Sequence, residues 1–171
     1  MARRVFFSFH YEKDGQRASV VRNSWVTMGE EGGFIDAAQW EKVKDKGGAT
    51  VKKWIEDQLT CTSVTVVLIG SETSSRPWVL HEIKRSYERG NGMLGIYLHN
   101  IKDFAGRTGT AGSNTFGEIG KDSNGQTVYF SVKYTAYDWV LQDFITISTN
   151  GLKMRRSRRV GSGTNTISKT R

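Results

Sequence analysis

The chain has 171 residues, of which 37% are hydrophobic and 25% are charged, so it can form one globular domain with its own core. A single cysteine, Cys61, excludes an internal disulfide, and no apolar run is long enough to span a bilayer. We therefore expect a cytoplasmic protein with no membrane partner.

The net charge of +8 is concentrated near the end of the chain. Residues 153–171 contain seven lysines and arginines and no acidic residue, and subtracting these seven charges leaves +1 for residues 1–152. We predict a folded domain over residues 1–150 and a basic, flexible tail over residues 151–171. Such a tail can bind nucleic acid or an anionic surface, but it has no aromatic residue to stack on bases, which favours a solvated tail.

Two strands and one helix are predicted in the first part of the chain. Residues 5–9 are aromatic and β-branched, which is typical of a strand. A polar turn is predicted over residues 11–16, and apolar residues then recur at helical spacing over residues 18–28. Glycines in residues 29–33 end that helix. Residues 34–36 predict a short second strand.

The middle of the chain has the clearest pattern. A helix is predicted over residues 49–61, followed by a continuous apolar strand over residues 64–69, as expected where helices cover both faces of a sheet. The next helix begins near Pro77, a residue favoured in the first helical turn, with Ser74 or Ser75 as its cap, and ends at Gly90. Residues 93–98 predict a further strand.

The last part of the domain is less regular. Residues 101–126 are polar and rich in glycine, which predicts a loop. Residues 127–132 predict a short strand, and residues 137–145 predict a final helix. Strands that alternate with helices indicate an α/β domain in which an open, mostly parallel sheet has helices on both faces, arranged as in flavodoxin.

In such a sheet, ligands bind at the carboxyl ends of the strands. Trp78 and Glu82 lie four residues apart on one helix face near this edge, and Gly70 would let a ligand approach the backbone closely. The predicted ligand-binding residues are Ser8, Phe9, His10 and Tyr11 after the first strand, Asp36 after the second, Trp40 in the following connection, Gly70 and Ser71 after the third, and Trp78. His10 and His99 lack the spacing of metal ligands, so no metal site is predicted.

Two motifs resemble those of the TIR-domain family. Residues 4–9 resemble its first strand, which ends in a serine followed by an aromatic residue, and residues 78–83 match its Trp-x-x-x-Glu helix. Within this family the chain is most similar to the TIR-like signalling subunit of bacterial Thoeris anti-phage systems. Residues 5–11, 21–27, 62–71 and 137–140 carry that similarity.

The resemblance implies a flavodoxin-like TIR fold and an enzyme of the NAD+ glycohydrolase or ADP-ribosyl cyclase type, with Glu82 as its catalytic residue. NAD would be the substrate rather than a cofactor, and no other cofactor is expected. The product would be a cyclic ADP-ribose isomer that diffuses to a partner effector after a phage-derived trigger. Self-association through the second-strand loop is also implied by the family and not by the residues themselves.

One carboxylate suffices for this chemistry. The nicotinamide of NAD is a cationic pyridinium that leaves neutral, so no acid has to protonate it, and an anionic Glu82 could stabilise the charge that develops on the ribose. Trp78, Trp40, Phe9 and Tyr11 could stack on the two rings. The competing interpretations are a Glu82 that only pairs along its helix and a Trp78 that only packs in the core. A non-catalytic interaction module and a flavodoxin-like receptor for a small ligand remain open.

Overall fold

A parallel five-stranded sheet forms the centre of the computed structural model, which describes residues 4–27, 32–33, 43, 45–121 and 124–141. Its order is β2-β1-β3-β4-β7, and a separate antiparallel pair is formed by β5 and β6. The strands are β1 (Val5–Ser8), β2 (Gly32–Gly33), β3 (Val64–Ile69), β4 (Gly92–Tyr97), β5 (Glu118–Lys121), β6 (Thr127–Tyr129) and β7 (Ala136–Asp138). This order confirms the predicted flavodoxin-like α/β fold.

Helices cover both faces of the sheet. They are α1 (Tyr11–Thr27), α2 (Gly48–Thr60), α3 (Pro77–Glu88) and the single turn α4 (Phe130–Lys133), with a short 3₁₀ turn at Thr73–Ser75. Helix α1 packs on one face, whereas α2 and α3 pack on the other. None of the helices in the described ranges combines the length and the apolar character needed to cross a membrane.

Strand β3 is buried along its whole length because helices cover it on both sides. Val64, Val66 and Leu68 join the core under α1, while Val67 and Ile69 pack with Val79 and Ile83 of α3. Successive side chains of a strand point to opposite faces, so the continuous apolar run in the sequence supplies both cores. The same alternation in β1 directs Phe7 toward α1 and Ser8 toward α3.

Helix α1 begins earlier than predicted. Residues 11–16 are helical rather than a polar turn, and the Asp14 backbone N–H already donates to the His10 carbonyl at 2.9 Å. The sequence pattern misses this first segment because the residue that it buries is the polar Asp14 rather than an apolar one. The helix otherwise follows the prediction, with Ala18, Val21 and Trp25 in the core.

The edge strand β2 also differs from the prediction. Gly32 and Gly33, which were expected to break a helix, pair in parallel with Val5 and Phe6. The strand predicted at residues 34–36 lies outside the described residues, as does the boundary predicted at residue 150. Pairing with β1 creates this strand, since glycine has little intrinsic preference for strands.

The prediction of a helix over residues 137–145 was wrong in its described part. Tyr137 and Asp138 belong to β7, which pairs with β4 and provides the outer parallel strand of the sheet. The Asp138 carboxylate then accepts hydrogen bonds from the backbone N–H groups of Val140, at 2.9 Å, and Leu141, at 3.1 Å, and this holds a turn. The predicted strand over residues 127–132 divides into β6 and α4, and β5 lies inside the predicted loop.

Candidate functional site

Glu82 and Ser8 meet at the carboxyl end of β1. Val79 and Ile83 pack α3 onto the sheet, and Glu82, three residues after Val79, faces the sheet with it. The Ser8 hydroxyl donates a hydrogen bond to Oε2 of Glu82. Glu82 is only 3% exposed and Ser8 is fully buried, so the pair lies inside the fold, where Ser8 of β1 pairs with Val67 of β3.

Burial raises the pKa of Glu82 to about 8, against the opposing effect of the Ser8 hydrogen bond. A carboxylate in a dry site loses its hydration, and the neutral form is favoured as a result. In this conformation the carboxyl group is therefore mostly protonated at neutral pH. A positive charge nearby, the entry of water or a higher pH would each favour the anion.

Trp78 is oriented toward α2 rather than into the Ser8–Glu82 pair. Its ring packs against a cluster that includes Phe6, Val51 and Ile55, and it makes an edge-to-face contact with His81 at 6.2 Å between ring centroids. It remains partly exposed. The structure thus gives Trp78 a packing role, and its exposed part lies on the same helix as Glu82.

Phe9 and Tyr11 lie on the other face of the sheet from Glu82. Phe9 is buried in the core under α1, and Tyr11 packs against the same core, with 5.8 Å between the two ring centroids. The alternation of side chains along β1 separates Phe9 from its neighbour Ser8. The structure does not bring these two rings to the carboxylate with which the sequence grouped them.

The absence of a side chain at Gly70 was predicted to let a ligand approach the backbone. In the structure, other groups of this chain occupy that space. A side chain at Gly70 would overlap the Asp14 carboxylate, and one at Gly112 would overlap the Gly70 carbonyl oxygen. A Cβ added at Gly112 would also lie 3.3 Å from the Cα of the exposed Ser71. The loop that follows β4 therefore covers the carboxyl end of β3.

Asp14 was missed by the sequence analysis. It is buried beside Gly70, and the Thr73 hydroxyl donates to its carboxylate at 3.4 Å. Burial raises the pKa of Asp14, while the Thr73 hydrogen bond lowers it. No sequence signal marks this residue, because its burial depends on a loop 59 positions further along the chain.

The remaining predicted residues are dispersed. The His10 side chain is 10% exposed, its Nε2 lies 4.0 Å from Glu12, and burial lowers its pKa. His99 lies 3.5 Å from Asp138 at the end of β4. Asp36 and Trp40 lie outside the described residues. Among the residues that the structure describes, no group of three or more His, Cys, Asp or Glu side chains could hold a metal ion.

A charged cluster beside this edge was also missed. Lys13 of α1 and Arg76, which immediately precedes α3, both donate hydrogen bonds to the carboxylate of Glu72. Arg76 occupies the position at which a serine cap was predicted, so the capping role of Ser74 or Ser75 was wrong. The Ser75 hydroxyl instead donates to the Glu72 carbonyl at 2.8 Å.

Comparison with known proteins identifies the family. A sequence profile described as "Thoeris protein ThsB, TIR-like domain" matches residues 6–103, more than half of the chain. A protein from Bacillus cereus (strain MSX-D12), named "Putative cyclic ADP-D-ribose synthase ThsB1", is 41% identical over 144 residues, which cover 81% of this chain and 72% of that protein. The profile match begins within β1 and extends past the end of β4, so it includes α1, β3 and α3. The chain therefore belongs to the family of TIR-like domains of the Thoeris protein ThsB.

Proposed function

We propose that this protein cleaves NAD at the bond between nicotinamide and ribose and cyclises the product to an isomer of cyclic ADP-ribose, with Glu82 as the catalytic residue. The observation that carries the proposal is the buried Glu82 at the carboxyl end of β1, where its carboxyl group accepts a hydrogen bond from Ser8. The name of the B. cereus relative, "Putative cyclic ADP-D-ribose synthase ThsB1", supports the same reaction.

The reaction requires no second acid. As the glycosidic bond breaks, its electron pair returns to the pyridinium ring, which leaves as neutral nicotinamide, and positive charge spreads over the ribose. An ionised Glu82 beside the ribose would stabilise that charge electrostatically. Ring closure then needs a nucleophile on the adenosine part of the same molecule to attack the anomeric carbon before water does, and a buried site favours this outcome.

The raised pKa of Glu82 fits a site that is inactive until NAD binds. At neutral pH the buried carboxyl group is mostly protonated, and a neutral acid stabilises a cation poorly. The pyridinium of NAD brings a positive charge to the site, and an adjacent positive charge lowers the pKa of a carboxyl group. Substrate binding would thereby help to ionise the residue on which cleavage depends.

The other parts of the proposal come from membership of the family. The cyclic product would diffuse to a partner effector protein, and a phage-derived component would trigger its synthesis. Self-association belongs to the same expectation. The segment that would carry it, residues 36–48, lies largely outside the described residues.

Incubation of the purified protein with NAD, with and without lysate from phage-infected cells, tests the proposal. Chromatography should resolve free nicotinamide and a cyclic product, and both should disappear in the Glu82→Gln variant. Glu88→Gln, at an exposed position of the same helix, is the matched control and should keep the activity. Products that persist in Glu82→Gln would contradict the catalytic role.

The deep burial of Glu82 also favours a second candidate, a TIR-like module that binds a protein partner without catalysis. A residue that is 3% exposed can serve the fold alone. NAD that remains intact with every lysate would support this candidate, whereas intact NAD held in the protein after gel filtration would indicate a small-ligand receptor.

A further inference from the structure

Three charged side chains beside the carboxyl ends of β1 and β3 have no part in the core or in the proposed cleavage step. Lys13 and Arg76 both donate hydrogen bonds to Glu72 in the loop after β3, and we refer to these three residues as the Glu72 cluster. Lys13 belongs to the first turns of α1, after β1, so the cluster joins the carboxyl ends of β1 and β3. Parallel sheets of this topology bind their ligands at that place.

His10 is a largely buried polar residue within electrostatic range of this cluster. Its side chain is 10% exposed, and its Nδ1 is buried without a hydrogen-bond partner among the described residues. Burial lowers the pKa of His10, and the charged groups that act on it are Arg76, Glu72, Glu12 and Lys13, so the cluster forms its charged surroundings. Nε of Arg76 is also buried without a partner in the described part of the chain. Buried polar atoms are rarely left unpaired, and within the described ranges His10 and Arg76 each have one.

The start of α3 adds to the attraction for an anion. Arg76 is the residue before the first turn, and its side chain makes no capping hydrogen bond. The first backbone N–H groups of a helix have no partner within the helix, and the helix dipole places partial positive charge there. A negatively charged group beside Arg76 would meet both the guanidinium and this end of the helix.

We propose that the Glu72 cluster is an anion site for the diphosphate of a dinucleotide, and that Glu72 holds it as an internal carboxylate which the diphosphate displaces. The identity of the ligand rests on the proposed function. Exposed ion pairs contribute little to stability, and the side chains of Lys13, Glu72 and Arg76 are 53%, 36% and 39% exposed. A diphosphate offers more charge and more acceptors than one carboxylate, and the arginine fork binds phosphate oxygens in pairs.

The spacing along α3 agrees with this assignment. Arg76 precedes Glu82 by six residues, which corresponds to about 9 Å along a helix axis. In NAD, one ribose ring and its 5′ carbon separate the anomeric carbon from the nearer phosphate. A substrate that places its anomeric carbon at Glu82 can therefore extend its diphosphate toward Arg76, whose long side chain covers the remaining distance. Glu12, 4.0 Å from Nε2 of His10, is the acidic neighbour that opposes binding.

Titration calorimetry with inorganic pyrophosphate tests the site directly. The full chain and three variants would be compared at low ionic strength and neutral pH. Glu72→Gln removes the competing carboxylate and should bind pyrophosphate about tenfold more tightly, while Lys13→Ala should bind it about tenfold more weakly. Glu56→Gln removes the partner of Arg85 elsewhere on α3 and should bind like the unmodified protein.

Three results would overturn the proposal: no gain in Glu72→Gln, an equal gain in Glu56→Gln, or unchanged binding in Lys13→Ala. Should Glu72→Gln fail to fold by circular dichroism, the exposed Lys13 decides the question alone. Binding of pyrophosphate does not depend on turnover. A chain that binds it as expected but releases no nicotinamide would refute the proposed reaction and leave the anion site standing.

Discussion

Ser8 and Glu82 form a buried hydrogen bond between residues 74 positions apart in the sequence. Ser8 ends β1, and Glu82 lies in the middle of α3, so the bond joins the sheet to the helix at the ligand-binding edge. The hydroxyl donates, which stabilises the carboxylate, whereas burial favours the neutral acid and prevails. The ionisation of one side chain is therefore coupled to the stability of the fold.

This coupling predicts that Glu82 lowers stability as the pH rises. Its pKa is about 8 in the folded protein, above its ordinary value of 4.5, so between these values the folded chain holds a proton that the unfolded chain has released. The contribution to the free energy of unfolding is complete below pH 4.5 and declines by up to about 1.4 kcal/mol per pH unit toward pH 8.

Urea unfolding from pH 5 to about pH 8 measures this effect. Glu82→Gln mimics the protonated acid, so its stability should lack the part of the decline that Glu82 causes and exceed that of the unmodified protein near pH 8, while the raised pKa of Asp14 acts on every variant alike. Glu88→Gln, on the exposed side of the helix, should keep the decline. The lowered pKa values of Glu56 and Asp103 act on all three proteins and cancel in the difference. Parallel curves for Glu82→Gln and the unmodified protein would contradict the raised pKa.

A second prediction concerns the Ser8 hydroxyl. Ser8→Ala removes the only hydrogen bond that favours the Glu82 carboxylate among the described groups, so the pKa of Glu82 should rise further. If NAD is cleaved, the acidic limb of the kcat/KM profile should move to higher pH. The free energy of unfolding should fall by about 1 kcal/mol.

Ser86→Ala is the matched control, because Ser86 is also a buried serine and bonds to Thr65 at 2.8 Å. Ser86→Ala should lose a similar amount of stability, but the acidic limb of its kcat/KM profile should stay at the pH of the unmodified protein. An equal displacement of the limb in both variants would mean that general loosening of α3, rather than the Ser8 hydrogen bond, sets the ionisation of Glu82.

Trp78 supports a third prediction. Its ring packs against the core cluster of Phe6, Val51 and Ile55, so Trp78→Ala should lower the free energy of unfolding by about 2–3 kcal/mol, somewhat less than a fully buried tryptophan would. Leu80→Ala, at a position 44% exposed on the same helix, should cost little. Chemical denaturation measures the stability of both variants. If Trp78→Ala were as stable as Leu80→Ala, the Trp78 ring would be only a surface for ligands.

Sequence patterns predicted the central elements well. The apolar run of β3 and the spacing of Val79 and Ile83 in α3 are local patterns, and each predicted which residues of its own segment are buried. The position of Glu82 in the helix after β3 placed it near the sheet edge, although the four-residue spacing grouped it with Trp78, which packs toward α2. The serine at the end of β1 was also correctly placed at this edge, although its bond to Glu82 depends on packing that no local pattern records.

Edges and long-range contacts could not be predicted in this way. Gly32 and Gly33 form a strand only because β1 pairs with them, and residues 136–138 form one only because β4 offers a free edge. Lys13 and Glu72 are 59 residues apart, and each looks like an ordinary surface charge. Phe9 and Ser8 were both predicted to bind the ligand because they are adjacent in the sequence, although neighbouring residues in a strand face opposite sides of the sheet.

The contact between Gly112 and Gly70 gives the last prediction. A methyl group at Gly112 would overlap the Gly70 carbonyl oxygen, so Gly112→Ala must displace the loop from the end of β3. This overpacking should cost about 1–3 kcal/mol. Gly117→Ala is the control in the same loop, since nothing lies within 4 Å of its added Cβ. Urea unfolding should show a loss in the first variant and little change in the second. Equal stabilities would mean that the loop can lift away from Gly70 at no cost.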